Sequence, residues 1–254
     1  MFMSKRVYFD DLPIDRVDLD NIVDRLAGLV FQKSRRMKTV ACLNVNNLNW
    51  TYRDREHRQF VQEADLVIPD GWGVVWAGRL LGYHLKERVT TADYFLRFCQ
   101  MVEKKGFSCY LLGGRPVVIN KTAKVLKEKF PQLRIVGFHP GFFNQEEEKQ
   151  VLQEINQQKP DFLILGMGTP KQEKWLYRNK DHLQAKVGWG VGAVFDYLAG
   201  EKRRCPVWLG RLGLEWLFRL LCEPCRLSRR YLWGNFQFGL LCFKIFLKEK
   251  NFKL

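Results

Sequence analysis

The stretch Leu66-Val-Ile-Pro-Asp70-Gly-Trp-Gly-Val-Val-Trp-Ala-Gly-Arg-Leu-Leu-Gly82 joins two patterns end to end. Leu66 to Ile68 is short and wholly apolar, as a buried strand is, and Val74, Val75, Ala77, Gly78, Leu80 and Leu81 then recur at helical spacing. Asp70 therefore stands at the carboxyl end of a strand, the edge of an open α/β sheet where ligands bind. Two readings of its carboxylate are open: a helix cap that accepts a backbone N–H of the next turn, or a catalytic group in a cleft. Gly71 and Gly73 favour the second. Glycine in a first helical turn costs roughly 1 kcal/mol against alanine, so two of them imply a place where something approaches the backbone closely.

Upstream, Thr39 to Leu43 reads as a second buried strand that runs into Asn44-Val-Asn-Asn-Leu-Asn-Trp50. Asn44 thus occupies a strand end as Asp70 does, and adjacent parallel strands bring the two side chains together. Turn chemistry accounts for some of the asparagines but does not require four. Nearer the start, Val7 to Phe9 reads as a strand, and Val17, Ile22, Leu26, Leu29 and Val30 as a helix capped by Asp18 or Asp20. Asp18-Leu-Asp20 resembles the Asp-x-Asp metal motif of nucleotide-sugar enzymes, but at a helix start capping is the better reading. Downstream of Gly82 a polar loop with Arg88 leads into a helix that runs to about Glu103. Arg88 reads either as a solvated charge or as a group reaching back to an anion in the cleft.

The second half is more regular. Cys109 to Leu112, Ile135 to Phe138 and Phe162 to Leu165 read as strands, with helices at Val117 to Phe130 and about Gln145 to Gln157. This is βαβαβ, a parallel sheet covered by helices. Gly113-Gly114-Arg115-Pro116 places proline near the first helical position, and Gly166-Met-Gly-Thr-Pro-Lys-Gln-Glu173 opens another helix. Glycine loops that feed helix N-termini cradle phosphate, because unpaired N–H groups and the dipole face the anion. Neither loop is a dinucleotide fingerprint, since Lys171 stands where a third glycine belongs.

The 254 residues are 46% hydrophobic, ample for a core, and the net charge is +15. From Lys202 to Leu254 there are twelve Lys and Arg against Glu215, Glu223 and Glu249, an excess of nine positive charges. Such asymmetry points to an anionic partner for the tail. Two acids precede any apolar run of secretory length, so no signal peptide is expected and the cytoplasm is the expected compartment. Seven cysteines at irregular spacing are then reduced thiols, and Cys222-x-x-Cys225 lacks the second pair of a zinc site. No uncharged apolar run reaches 18 residues, so a membrane span is not expected.

Four stretches occur in order: Val67-Ile-Pro-Asp70-Gly-Trp-Gly-Val-Val75, Leu111-Leu-Gly-Gly-Arg-Pro116, Pro160-Asp-Phe-Leu-Ile-Leu-Gly-Met-Gly-Thr-Pro-Lys-Gln-Glu-Lys-Trp175 and Gly190-Val-Gly-Ala-Val-Phe-Asp-Tyr-Leu-Ala-Gly200. Leu214-Glu-Trp-Leu-Phe-Arg219, Glu223-Pro224 and Arg226 follow. This set resembles the WecG/TagA/CpsF glycosyltransferase family from about Arg6 to Tyr231. The resemblance implies a Rossmann-like parallel sheet with helices on both faces over residues 1–200, and a basic, amphipathic helical C-terminal appendage over 201–254. It implies an inverting, metal-independent transfer from a UDP-sugar, with no cofactor, to a polyprenyl-diphosphate-linked acceptor. The best-known activity moves N-acetylmannosamine onto lipid-linked N-acetylglucosamine in wall teichoic acid synthesis; glucose, glucuronic acid or N-acetylmannosaminuronic acid, for exopolysaccharide, are the other donors.

On the family's motifs, Asp70 matches the proposed general base and Asn44 the strand-end asparagine. Arg88 matches the arginine of Glu-Arg-Val, Gln172 and Glu173 the Pro-x-Gln-Glu pair, and Arg219, Arg226 and Arg229 the basic positions of the appendage. Gly113 and Gly114 are the expected diphosphate cradle. Cys42 stands where threonine is common and Thr91 where glycine is common, which bears on the donor sugar. A dehydrogenase would need a fuller glycine fingerprint and a ribose-binding acid; a nucleic-acid binder would rest on the basic tail alone. The tail's Leu232, Trp233, Phe236, Phe238, Leu240, Leu241, Phe243, Ile245, Phe246 and Leu247 suit an interfacial segment on anionic lipid at the inner face of the plasma membrane. The other reading of that apolar load is a helix packed on the core or a homo-oligomer interface.

Overall fold

The computed structural model describes residues 6–251, with side chains to Lys248. Met1 to Lys5, at the start of the segment read for a signal peptide, and Lys253 of the tail's charges lie outside the described residues, as do the side chains of Glu249 and Lys250.

The elements run β1 (Val7–Phe9), β2 (Leu12–Ile14), α1 (Ile22–Phe31), β3 (Lys38–Leu43), α2 (Val45–Thr51), α3 (Arg55–Glu63), β4 (Leu66–Pro69) and α4 (Trp72–Leu80). Then follow α5 (Thr91–Lys104), β5 (Ser108–Gly113), α6 (Pro116–Lys129), β6 (Arg134–His139), α7 (Gln145–Gln158), β7 (Phe162–Gly166), α8 (Lys171–Asn179), β8 (Val187–Gly190) and α9 (Val194–Leu198). The chain continues through α10 (Val207–Arg211), α11 (Glu215–Cys222), α12 (Pro224–Ser228), a π-helical turn at Arg229–Trp233 and α13 (Gly234–Asn251).

β1 and β2 form an antiparallel hairpin. The other six strands make one sheet in the order β4-β3-β8-β7-β5-β6, and every neighbouring pair is parallel. Side chains alternate between its faces. In β7, Phe162 and Ile164 join one core with Phe98, Trp189 and Ile119; Leu163 and Leu165 join the other with Phe60, Val74 and Trp175. Helices thus cover both faces, which is why the strands read as continuous apolar runs. β3 and β4 build outward in one direction, β5 and β6 in the other, and β7 and β8 fill the gap. The reversal leaves a crevice at the carboxyl edge, between the ends of β3 and β4 and those of β7 and β5.

β2, α2, α3 and β8 are absent from the sequence reading. β8, Val-Gly-Trp-Gly, is half glycine, and its place comes from the sheet: a Cβ at Gly188 would lie 2.6 Å from Leu176 Cδ2, so only glycine lets α8 pack there. The asparagine run is helical, with Asn44 at its cap: the Asn44 side chain accepts the N–H of Asn47 at 3.0 Å.

Beyond Gly200 the chain packs back on the sheet's carboxyl edge. Asn49 Nδ2 donates to Gly234 O at 2.8 Å, Ile245 and Leu227 are buried, and Phe238 and Leu241 pack on the second core. A Cβ at Gly73 would lie 2.5 Å from Val45 Cγ2 and 3.7 Å from Phe238. The close approach read from Gly73 is therefore that of α2 and the tail, while Gly71 is needed for its φ of +105°. Leu232, Trp233, Phe236, Leu240, Phe243 and Leu247 remain exposed. Among the described residues no helix is long and apolar enough to cross a membrane.

Candidate active site

The ends of β3 and β4 meet as their register requires, Leu43 opposite Pro69, and Asn44 Nδ2 donates to Asp70 Oδ2 at 3.1 Å. Because the Asn44 carbonyl is held by the Asn47 N–H, its amide nitrogen is the end turned to the carboxylate; an aspartate there has no such donor. Thr90 also hydrogen-bonds Asp70. The cap of α4 is Gly71, which makes no side-chain bond, so the capping reading of Asp70 falls. Burial pushes the Asp70 carboxyl above its ordinary value and nearby Glu215 adds to this, against the lowering effects of Asn44, Thr90 and Arg88. A carboxylate with a raised affinity for protons beside a cleft is suited to general-base work.

Arg88 is buried and its charge is already met. It pairs with Asp93 at 3.2 Å and Glu215 at 2.6 Å, and Nη1 donates to Thr90 Oγ1 at 3.2 Å. A Cβ at Gly210 would lie 2.7 Å from Arg88 Nη2, and Trp72 Nε1 donates to Gly210 O at 3.2 Å. The solvated reading of Arg88 is therefore overturned. It touches the cleft, but it also ties the start of the tail to the sheet's carboxyl edge.

Gln172 links two loops: its Oε1 accepts the N–H of Gly168 at 3.1 Å and of Gly192 at 3.2 Å. Its Nε2 donates to Glu173 Oε1 at 2.9 Å, which also accepts Thr169 Oγ1 at 3.0 Å. Gln172 lines the cleft. Glu173 lies buried behind it with Oε2 lacking a hydrogen-bond partner, and burial pushes its carboxyl up.

The cleft, about 700 Å³, reaches from Asn44 and Asp70 across Gly114, Gly168 and Gly192 to Arg219, Arg226 and Arg230. The N-terminal ends of α4, α6 and α8 reach it at Gly71 and Trp72, at Arg115, and at Lys171 and Gln172, and none of the three has a side-chain cap. Gly114 lines it, but its N–H donates to Gly166 O at 3.0 Å. Gly113 serves packing: at φ +147°, a Cβ there would sit 2.5 Å from the Gly166 backbone. Gly113→Ala is expected to cost about 1–3 kcal/mol, read as a lower urea midpoint with an unchanged m-value.

Arg229 is exposed and is not among the cleft-lining residues; Arg230 takes that place. The family's basic positions point to Arg229; it and Arg230 both lie in the π-helical turn Arg229–Trp233, where Arg230 lines the cleft and Arg229 is exposed. Arg226 pairs with Glu223 at 2.5 Å. Arg230 Nε is buried without a partner, and burial, then Arg219 and Arg226, lower its pKa against the opposing effect of Tyr231. Three guanidiniums with one carboxylate pair among them make a wall suited to an anion. Trp72, Trp76, Trp216 and Tyr231 also line the cleft; no sequence signal separated them from core aromatics.

Cys42 Sγ lies 3.4 Å from Thr91 Oγ1 and accepts Trp189 Nε1 at 3.4 Å. Burial, then the Asp70 charge, push this thiol up to about 12, so it stays neutral. Asp18 Oδ1 accepts the N–H of Asn21 and Asp20 at 3.0 and 3.2 Å, organising the turn before α1. Asn21 takes the cap position. Cys222 and Cys225 are exposed free thiols.

The model of the "Glycosyl transferase WecG/TagA/CpsF family" matches residues 7–252. An N-acetylglucosaminyldiphosphoundecaprenol N-acetyl-beta-D-mannosaminyltransferase of Bacillus subtilis (strain 168) is 29% identical over 177 residues, 70% of this chain and 68% of the relative. The protein of that name from Staphylococcus aureus (strain NCTC 8325 / PS 47) is 26% identical over 218 residues, 84% of this chain and 85% of the relative. With nearly the whole described chain matched and the family's motifs gathered round one cleft, this protein belongs to the WecG/TagA/CpsF glycosyltransferase family.

Proposed function

We propose that the protein is an inverting transferase that moves N-acetylmannosamine from UDP-N-acetylmannosamine to N-acetylglucosamine carried on a polyprenyl diphosphate, in teichoic acid or other surface-polysaccharide synthesis. The observation that carries the reading is Asp70, half-buried at the sheet's carboxyl edge and held by Asn44, in a cleft whose far wall is cationic. The relatives' names supply the donor sugar and acceptor class. In this mechanism Asp70 takes the proton of the acceptor hydroxyl as its oxygen attacks the anomeric carbon from the face opposite UDP. The bond to the UDP oxygen breaks, and the charge gathering on the diphosphate is met by the uncapped helix N-termini and by Arg219, Arg226 and Arg230. Asn44 and Gln172 hold the edge in shape, and Arg88 keeps the tail closed over it.

Residues 201–254 act in this reading as a membrane-docking appendage. Their exposed aromatic and aliphatic side chains enter the interface, while Lys and Arg near the surface each contribute about 1 kcal/mol on anionic lipid. Such docking places the enzyme at the inner face of the membrane, where a lipid-linked acceptor is met. Another UDP-sugar is the second reading, favoured by Cys42 and Thr91, which touch each other at the cleft wall in place of the family's common threonine and glycine.

Mass spectrometry of products from a panel of UDP-sugars with a short-chain lipid-linked acceptor tests both readings: a single N-acetylhexosamine increment from UDP-N-acetylmannosamine supports the first, and a different preferred donor the second. The mechanism needs no metal, so EDTA is expected to leave the initial rate unchanged. A rate abolished by EDTA and restored by magnesium would overturn that part of it.

A further inference from the structure

We propose that Trp76 and Trp216, with Leu212 beyond them, form a seat for the isoprenoid chain next to the acceptor's diphosphate, an inference that rests on the acceptor class proposed above. Trp72, Trp76 and Leu80 recur every four residues along α4 and so share one face. Trp72 and Trp76 are stacked, with ring centroids 5.8 Å apart. Trp72 has its N–H taken by Gly210, but Trp76 lines the cleft and is still 50% exposed, and Leu80 beyond it is 76% exposed. The path continues onto the tail: a Cβ at Gly213 would lie 2.7 Å from Trp76 Cη2, and the adjoining Leu212 is 61% exposed.

The occupant follows from what stands beside this path. Arg219 is one turn after Trp216 on the same face of α11. The Trp216 ring lies 6.2 Å from Tyr231, over which Arg230 sits at 5.6 Å. Guanidiniums inside and bare indoles outside complement an anion with an apolar chain on its outer side. A sugar ring would meet one such indole, face on. From Trp72 to Leu80 the apolar face spans about 12 Å along the helix, a length that suits a chain. Apolar surface left bare in the wall of a cleft, rather than on the outer face of the tail, is the mark of a ligand-binding groove.

The test is calorimetric titration of the full chain, in detergent-free buffer, with inorganic diphosphate and with farnesyl diphosphate. Farnesyl diphosphate is expected to bind with a Kd about tenfold lower or better, and Trp76→Ala and Leu212→Ser each to narrow that ratio at least about threefold. Equal affinity for the two probes in the unaltered protein, or an unchanged ratio in both variants, overturns the proposal. So does an equal weakening of both probes by Trp76→Ala, which would put the indole on the diphosphate. If circular dichroism shows Trp76→Ala unfolded, Leu212→Ser decides alone, since that exposed side chain supports no core. Because the titration needs no sugar transfer, the two readings fail separately. An isoprenoid preference without transfer to N-acetylglucosamine-bearing acceptor sinks the acceptor reading only; transfer without the preference sinks this one only.

Discussion

Asp70→Asn is expected to lower kcat by about 10²–10⁴-fold while the protein stays folded and still binds UDP. The amide keeps an oxygen to accept Asn44 Nδ2, so the floor of the cleft is preserved, but it cannot take a proton. Stability should move the other way. Burial raises the Asp70 pKa above its ordinary 3.8, so the folded state holds this proton more tightly than the unfolded chain does. The stability linked to it is complete below the ordinary value and is lost as pH rises through the folded one. Ionising the buried group therefore costs stability, and the neutral variant is expected to melt no lower than the parent. Activity has the matching profile: kcat/KM rises with pH through an Asp70 pKa that burial raises above its ordinary value, and Asp70→Asn lacks that limb. Near-parental kcat in the folded variant would remove Asp70 from the chemistry.

Truncation after Arg204 is expected to cost about 10²-fold or more in rate, even on a water-soluble acceptor. The cut removes Arg219, Arg226 and Arg230 from the cleft wall and Glu215 from Arg88, so the leaving diphosphate loses those cations and Arg88 keeps Asp93 as its ion partner beside the Thr90 hydroxyl. All six strands of the main sheet end by Gly190, so the α/β core is expected to fold. It should melt earlier, because Phe238, Leu241 and Ile245 no longer cover α2 and α4. The truncated chain should also cease to sediment with anionic vesicles. Circular dichroism melts, transfer to a soluble acceptor and vesicle sedimentation separate the possible roles. Full activity would show that the tail's arginines take no part in catalysis, and an unfolded product would make the tail part of the core.

What the sequence determined by itself is local. A buried parallel strand is apolar on both faces and ends where a polar residue first appears, so Asn44 and Asp70 were legible as strand-end neighbours, and the βαβαβ rhythm of the second half was legible from period alone. The glycine loops at the sheet's carboxyl edge were legible as clusters, though not which glycine lines the cleft: Gly114 does, while a Cβ at Gly113 would meet the Gly166 backbone. Tertiary structure decided whatever depends on packing between distant segments. β8, half glycine, becomes a strand because β3 and β7 flank it and α8 needs its missing side chain. Arg230 rather than Arg229 lines the cleft because the tail's packing decides which of two adjacent arginines faces it, both standing about one helical turn from Arg226 in the sequence. Arg88 is ion-paired because Asp93 and Glu215, five and 127 residues away in sequence, converge on it. A charge shows its type in the sequence; its partner is set by where the chain returns.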